Sequence, residues 1–161
     1  MTKILVVDDE IDIVDLLVDD LSDNGFNVIS AHNGIEALEQ VYREQPDVVL
    51  LDLMMPVLNG YEVLQELRRN PTTKDLPVIM LTALSPTEGE QAALRLGANH
   101  YVTKVWEPGT LQAVIRVALR EAGKSQSQSQ SPSKPSASRF RNVTVFHVND
   151  QNPSARWVQE A

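Results

Sequence analysis

The chain has 161 residues, 42% of them hydrophobic, which is long enough for one domain with a substantial core and too short for two large ones. It has 22 acidic and 14 basic residues and no cysteine, which excludes disulfide and thiolate chemistry and argues against an extended basic surface for nucleic acid. No apolar run approaches the roughly 20 residues of a membrane helix, and the N-terminus lacks a signal-peptide pattern, so we expect a cytoplasmic protein.

Five apolar runs alternate with five segments of helical periodicity before residue 123. In chain order the predicted strands are KILVV, FNVIS, DVVLL, PVIML and HYVT. The helices that follow them are IDIVDLLVDDLSDNG, GIEALEQVYREQ, NGYEVLQELRRN, PTEGEQAALRLG and PGTLQAVIRVALREAG. Pro86 and Pro108 suit a first helical turn, and Gly25, Gly97 and Gly123 suit helix C-termini. This alternation predicts an α/β fold, a doubly wound five-stranded parallel sheet with helices on both faces.

The composition changes near Gly123. Residues 1–122 carry 20 acidic and 9 basic side chains and form the predicted domain. Residues 123–139 are rich in Ser, Gln and Pro and are predicted to be a flexible linker, because they have too few apolar groups to form a core. Residues 140–161 form a short C-terminal tail. The stretch RFRNVTVFHVND, which begins one residue before the tail, alternates as a single strand would, and QNPSARWVQEA fits a turn followed by a helical turn.

Polar side chains follow four of the five predicted strands. Asp8 and Asp9 end the first strand, Asp52 the third, Thr82 the fourth and Lys104 the fifth. Parallel strands end at one edge of their sheet, where such folds bind ligands, so we expect these side chains to converge. A buried, isolated carboxylate is costly, so Asp52 after the run VVLL is expected to have a metal or a cationic partner.

This set of residues indicates phosphoryl chemistry. Carboxylates select Mg²⁺, or Mn²⁺, and a carboxylate such as Asp52 can itself accept a phosphoryl group. The ammonium of Lys104 would offset phosphoryl charge, and the hydroxyl of Thr82 would donate to a phosphoryl oxygen. Taken singly, each residue has an ordinary structural role in a helix cap, a turn or the solvated surface. Their joint position at four strand ends favours the functional interpretation.

Four stretches carry a family resemblance: ILVVDDE, VVLLDLMMPVLNGYEVL, LPVIMLTA and GANHYVTKVWEP. With these motifs, residues 2–122 resemble the CheY-like receiver domain of two-component response regulators. The resemblance implies a flavodoxin-like sheet with strand order 2-1-3-4-5. It implies that Asp52 is the phospho-acceptor, and that Asp8, Asp9, Asp52 and the backbone carbonyl of Met54 bind Mg²⁺.

The resemblance also implies a switch and its partners. Thr82 would be the switch hydroxyl, Tyr101 the switch aromatic, and Lys104 the residue that contacts the phosphoryl group. The donor would be a sensor histidine kinase or a histidine phosphotransfer protein, as in a phosphorelay. Since no basic helix-turn-helix segment follows, we expect output through a downstream protein target, with no direct DNA binding and no membrane contact. Homodimers through the face of the fourth helix, fifth strand and fifth helix, or through the tail, are a further option.

Two departures from the family pattern lead to specific expectations. Family members usually have proline after the lysine, whereas this chain has Val105. A cis bond before a non-proline residue costs about 2.5–4 kcal/mol, so we expect Lys104–Val105 to be trans, or cis under strain. Met54 and Leu84 are apolar where the family positions flank the path of attacking water, so slow autodephosphorylation is expected.

Two other functions remain open at this level. One is a phosphorylation-independent binding module with the receiver fold, to which Val105 gives some weight. The other, less favoured, is a Mg²⁺-dependent phosphatase with Asp52 as its nucleophile. The preferred interpretation is a signalling phospho-acceptor rather than an enzyme, with self-catalysed phosphotransfer and slow autodephosphorylation as its only chemistry.

Overall fold

The computed structural model describes residues 1–83, 86–104, 106–127, 144–147 and 156–159. The strands are β1 (Lys3–Val7), β2 (Asn27–Ala31), β3 (Val48–Asp52), β4 (Val78–Thr82), β5 (His100–Thr103), β6 (Thr144–His147) and β7 (Arg156–Gln159). The helices are α1 (Ile11–Asp23), α2 (Gly34–Glu44), α3 (Gly60–Arg69), α4 (Pro86–Arg95) and α5 (Thr110–Ser127). The first five strands are parallel in the order β2-β1-β3-β4-β5, which confirms the predicted sheet and the order implied by the resemblance.

The sheet continues past β5 with two strands from the C-terminal region. β6 pairs in parallel with β5, and β7 pairs antiparallel with β6. The strand expected in the tail is therefore present, but the helical turn expected after it is wrong, because residues 156–159 pair as a strand. Val158 and Trp157 suit this strand because β-branched and aromatic residues favour extended backbone.

α5 extends five residues past the boundary expected at residue 122. Gly25 and Gly97 have the positive φ expected of C-terminal glycines, but Gly123 lies inside α5 and does not end it. A glycine inside a helix costs only about 1 kcal/mol relative to alanine, which the residues around it can offset. Pro108 also differs from expectation, since α5 begins two residues later. None of the helices in the described ranges has the length and hydropathy needed to cross a bilayer.

Two apolar layers enclose the central strands. Successive residues of a strand face opposite sides of the sheet, so Leu5 and Val7 of β1 lie in one layer and Ile4 and Val6 in the other. The first layer includes buried residues of α2, α3 and α4, and the second includes those of α1 and α5. All residues of β3 and β4 are buried, as predicted for strands covered on both faces.

Helices α1 and α3 begin close to the carboxyl edge of the sheet. Asn59 and Glu62 form a reciprocal capping box at the start of α3. A Cβ at Gly60 would collide with the backbone carbonyl of Asp52, so glycine lets α3 begin directly against the end of β3. α1 begins after Glu10, whose side chain makes no capping hydrogen bond.

Candidate functional site

Three carboxylates converge at the carboxyl edge of the sheet. Asp8 and Asp9 follow β1, and Asp52 ends the neighbouring strand β3. One oxygen from each lies within 4.8 Å of one from the others. Asp8 and Asp52 are buried, whereas Asp9 is exposed, so the cluster opens to solvent on one side.

Asp52 is held in an environment that opposes its charge. Burial, and secondly the negative charge of Asp8, raise the pKa of the Asp52 carboxyl from 3.8 to about 6. The ammonium of Lys104 and the backbone N–H of Met54 act in the opposite direction but do not balance these effects. That N–H donates to Asp52 Oδ1 over 3.4 Å, while the Met54 side chain is largely exposed. A positive ligand would therefore stabilise the ionised form of Asp52.

Asp8 supplies an independent indication of a cation site. Its Oδ1 accepts a hydrogen bond from the backbone N–H of Glu10 at 2.9 Å. Its Oδ2 is buried and forms an ion pair with the ammonium of Lys104, 2.8 Å away. A buried carboxylate needs a cation or donor of this kind to offset the cost of its burial. The donor set of oxygens from Asp8, Asp9 and Asp52 therefore fits Mg²⁺ or Mn²⁺.

Lys104 reaches this cluster from the end of β5. Its ammonium lies 3.5 Å from Asp52 Oδ1 and donates a hydrogen bond to Glu10 Oε1 over 2.8 Å. Burial alone would lower the pKa of Lys104, but the contacts with Asp8 and Glu10 and the charge of Asp52 outweigh it and raise the pKa. The lysine is therefore charged throughout the physiological pH range.

Glu10 is a site residue that sequence reasoning missed. It directly follows Asp8 and Asp9 in the motif DDE, which is the signal that could have included it. Its contact with Lys104 joins residues 94 positions apart in the chain, so no local pattern predicts it.

Thr82 and Tyr101 form a second group beside the carboxylates. Both side chains are fully buried, and their hydroxyl groups are hydrogen-bonded to each other. Burial raises the pKa of the Tyr101 phenol to about 12, with smaller contributions from Tyr61 and Glu90, while the bond to Thr82 opposes the rise. Tyr101 thus points inward, in contact with the hydroxyl that the resemblance names as the switch.

The first half of α4 lies directly over the Tyr101 phenol. A Cβ at Gly89 would stand 2.7 Å from Tyr101 Oη, so only glycine leaves room for the inward ring. The Tyr61 hydroxyl of α3 donates to the backbone carbonyl of Gly89 at 3.1 Å. Sequence reasoning missed Tyr61 and Gly89, because contacts among α3, α4 and β5 leave no local periodic signal.

Two of the expectations concern residues that the structure does not describe. Val105, and with it the isomer of the Lys104–Val105 peptide bond, lies outside the described residues. Leu84 lies outside them as well. The expectation of slow autodephosphorylation therefore stays a prediction.

Comparisons with known proteins agree with this geometry. The sequence matches the response regulator receiver domain over residues 4–116. It is 48% identical over 130 residues to "Probable transcriptional regulator ycf27" of Porphyridium aerugineum, covering 81% of this chain and 53% of that protein. It is 42% identical over 120 residues to the alkaline phosphatase synthesis transcriptional regulatory protein PhoP of Bacillus subtilis, covering 74% of this chain and 49% of that one. The chain thus spans about half the length of these relatives.

A solved structure of the chemotaxis protein CheY4 from Vibrio cholerae superposes on the chain with a TM-score of 0.70. The two are 33% identical, and the match covers 73% of this chain and 98% of that one. The sequence match over residues 4–116 includes all the residues of the site.

The relatives correct the expected partners. The acidic charge and the missing helix-turn-helix pattern led to the expectation of protein targets and no direct DNA binding. That expectation is wrong, because both relatives are named as transcriptional regulators. The physical reason is that charge and motifs of one domain describe that domain's own surface, and do not determine the output of the proteins in which it occurs.

Proposed function

The chain belongs to the response regulator receiver domain family, and from this premise we propose that it is a regulator activated by phosphorylation of Asp52. The observation that carries the proposal is the meeting of Asp8, Asp9 and Asp52 within 4.8 Å, beside the ammonium of Lys104. The donor would be a phosphohistidine on a histidine kinase or a histidine phosphotransfer protein. An Asp52 pKa of about 6 leaves most of this carboxylate ionised, and hence nucleophilic, near neutral pH.

The side chains at the site have separate roles in the transfer. An oxygen of Asp52 forms the new bond to phosphorus as the bond to the donor imidazole breaks. Asp8, Asp9, Asp52 and the carbonyl of Met54 would hold Mg²⁺, which supplies positive charge against the phosphoryl oxygens when bound. The ammonium of Lys104 would stabilise the same oxygens.

Thr82 and Tyr101 would change their contacts when Asp52 is phosphorylated. A phosphoryl group brings about −1.5 to −2 charge and three strong acceptors to the end of β3. The hydroxyl of Thr82 can then donate to a phosphoryl oxygen in place of its bond with Tyr101. That exchange changes the relative stability of two packings of Tyr101 against α4, and so biases an existing equilibrium.

Transcriptional regulation is the output that the relatives' names support. We infer that this receiver controls such an output, and that it acts in the cytoplasm, where the sequence led us to expect it. The relatives are about twice as long as the matched region, so the activity of the whole protein is part of this proposal.

Intact-mass measurement after incubation with acetyl phosphate and Mg²⁺ tests the proposal. We expect the wild-type chain to gain the mass of one phosphoryl group, and Asp52→Asn to gain none. No gain in the wild type at saturating donor would contradict the proposal, as would an equal gain in Asp52→Asn. Sustained release of phosphate from a generic ester would instead favour the phosphatase. Unchanged partner binding by Asp52→Asn in every assay would favour the phosphorylation-independent module.

A further inference from the structure

Glu10 occupies the N-cap position of α1 without acting as a side-chain cap. N-cap residues usually accept a hydrogen bond from the first-turn N–H groups, and Glu10 makes no such bond. Its carboxylate is instead directed to the end of β5, where it accepts a hydrogen bond from the Lys104 ammonium at 2.8 Å. The Glu10 side chain therefore contacts Lys104 of the reactive site and not the first turn of its own helix.

The contacts of the ammonium are unequal. Glu10 Oε1 and Asp8 Oδ2 each lie 2.8 Å from it, whereas Asp52 Oδ1 is 3.5 Å away. The two buried carboxylates attract the ammonium towards the position that a cation would occupy. The partly exposed carboxylate of Glu10 attracts it outwards.

We propose that Glu10 is a positioning residue that draws the Lys104 ammonium away from Asp52, towards the outside of the three-carboxylate cluster. In this position the ammonium is 3.5 Å from Asp52, which leaves that carboxylate open to a divalent cation, and it remains next to the place where the phosphoryl group attaches. Without Glu10, the ammonium moves closer to Asp52 and competes with the cation for the same oxygens. The phosphoryl part of this inference rests on the proposed function, whereas the cation part needs only the carboxylates.

The size of the effect follows from the exposure of the pair. Glu10 is 62% exposed at its side chain, and exposed ion pairs of this kind are weak. We therefore expect Glu10→Gln to weaken Mg²⁺ binding by roughly 1.5- to fivefold. Removing an acidic charge also weakens cation binding over a distance, so a control variant must remove a nearby charge without touching Lys104.

Asp12→Asn provides that control, because Asp12 is an exposed acidic residue in the first turn of the same helix. Mg²⁺ affinity is measured by NMR titration with MgCl₂ for the wild type, Glu10→Gln and Asp12→Asn. The three titrations are then repeated in a Lys104→Gln background. We expect Glu10→Gln to have the larger effect when Lys104 is present, and the two variants to have equal effects in the Lys104→Gln background. Equal effects when Lys104 is present, or an undiminished difference without it, would overturn the proposal.

Two further readouts separate this inference from the proposed function. In the metal-free protein, the Lys104 ammonium should give a protected ¹⁵N–¹H signal that Glu10→Gln alters and Asp12→Asn does not. That result stands or fails whether or not Asp52 is phosphorylated. With acetyl phosphate, Glu10→Gln should raise the Mg²⁺ concentration needed for half-maximal phosphorylation more than Asp12→Asn does. An equal rise in the two variants would show that Glu10 does not act through the position of Lys104.

Discussion

The two halves of the site differ in how well their polar groups are satisfied. At the ends of β1 and β3, two buried carboxylates, Asp8 and Asp52, share the ammonium of Lys104, and the pKa of Asp52 stays raised. At the ends of β4 and β5, the equally buried hydroxyls of Thr82 and Tyr101 are bonded to each other. A bound cation would therefore stabilise the acidic half. The hydroxyl half needs no ligand, and its hydrogen bond would change only when a stronger acceptor, such as a phosphoryl oxygen, is present. Binding and read-out are thus divided between neighbouring strands.

The largest effect on stability should come from Asp52→Asn in the metal-free protein. Because folding raises the pKa of Asp52 from 3.8 to about 6, its proton stabilises the fold below pH 3.8, and that contribution is lost as the pH rises through 6. The ionised carboxylate therefore costs stability at pH 8, and we expect Asp52→Asn to raise the free energy of unfolding by about 1–3 kcal/mol. Urea unfolding in EDTA measures this.

The exposed residue Asp15 supplies the control for that measurement, and Asp15→Asn should change the unfolding free energy by less than about 0.5 kcal/mol. If Asp52→Asn is less stable than the wild type at pH 8, the ionised carboxylate of Asp52 does not destabilise the fold.

Mg²⁺ binding should depend on pH through the same carboxyl group. Cation binding requires the ionised carboxylate, so affinity should be close to maximal at pH 7.5 and fall as the pH drops below about 6. One pH unit below that value, at pH 5, we expect a roughly tenfold loss of affinity. NMR titration at the two pH values provides the measurement. If the Mg²⁺ affinity is the same at both pH values, the pKa of Asp52 does not lie near 6.

In the hydroxyl half, Gly89→Ala should destabilise the protein although alanine favours helices. The added Cβ meets the Tyr101 hydroxyl, and overpacking of a buried site costs about 1 kcal/mol or more. Tyr101→Phe removes the hydroxyl oxygen that the added Cβ contacts, so the double variant should recover most of the lost stability. Thermal unfolding of the single and double variants tests this.

Gly123→Ala is the matched control for Gly89→Ala. It is also helical, but nothing lies within 4 Å of its Cβ position, so alanine should stabilise it by about 0.5–1 kcal/mol. If both substitutions stabilise the protein, α4 does not lie against the inward ring.

The smallest effect should be that of Tyr101→Phe alone. It removes one neutral hydrogen bond to Thr82, with an expected cost of about 0.5–1.5 kcal/mol. Mg²⁺ affinity should not change, because the phenol contributes no ligand to the acidic half. A change in Mg²⁺ affinity of more than about twofold would mean that the two halves are already coupled before phosphorylation.

Much of this arrangement could be predicted because it follows from periodic and positional patterns. The five strands of the parallel sheet are short apolar runs, and the residues at their ends, such as Asp52 and Lys104, must share one edge once the strands are parallel. The helix that continues through Gly123 and the strand at Trp157 were not predicted. A glycine costs a helix only about 1 kcal/mol, so Gly123 does not end α5, and at Trp157 the pairing with β6 outweighs the helical preference.

The sequence by itself determined the alternation of strands and helices, the faces that become buried and the polar residues at the carboxyl edge, because these depend on spacing along the chain. Only the tertiary structure decided that Glu10 contacts Lys104 and that Gly89 lies over the Tyr101 hydroxyl. These contacts join elements that are distant in the chain, and their geometry is set by how α1 and α4 pack on the sheet. Side-chain direction and the satisfaction of buried polar atoms are therefore properties of the packed protein.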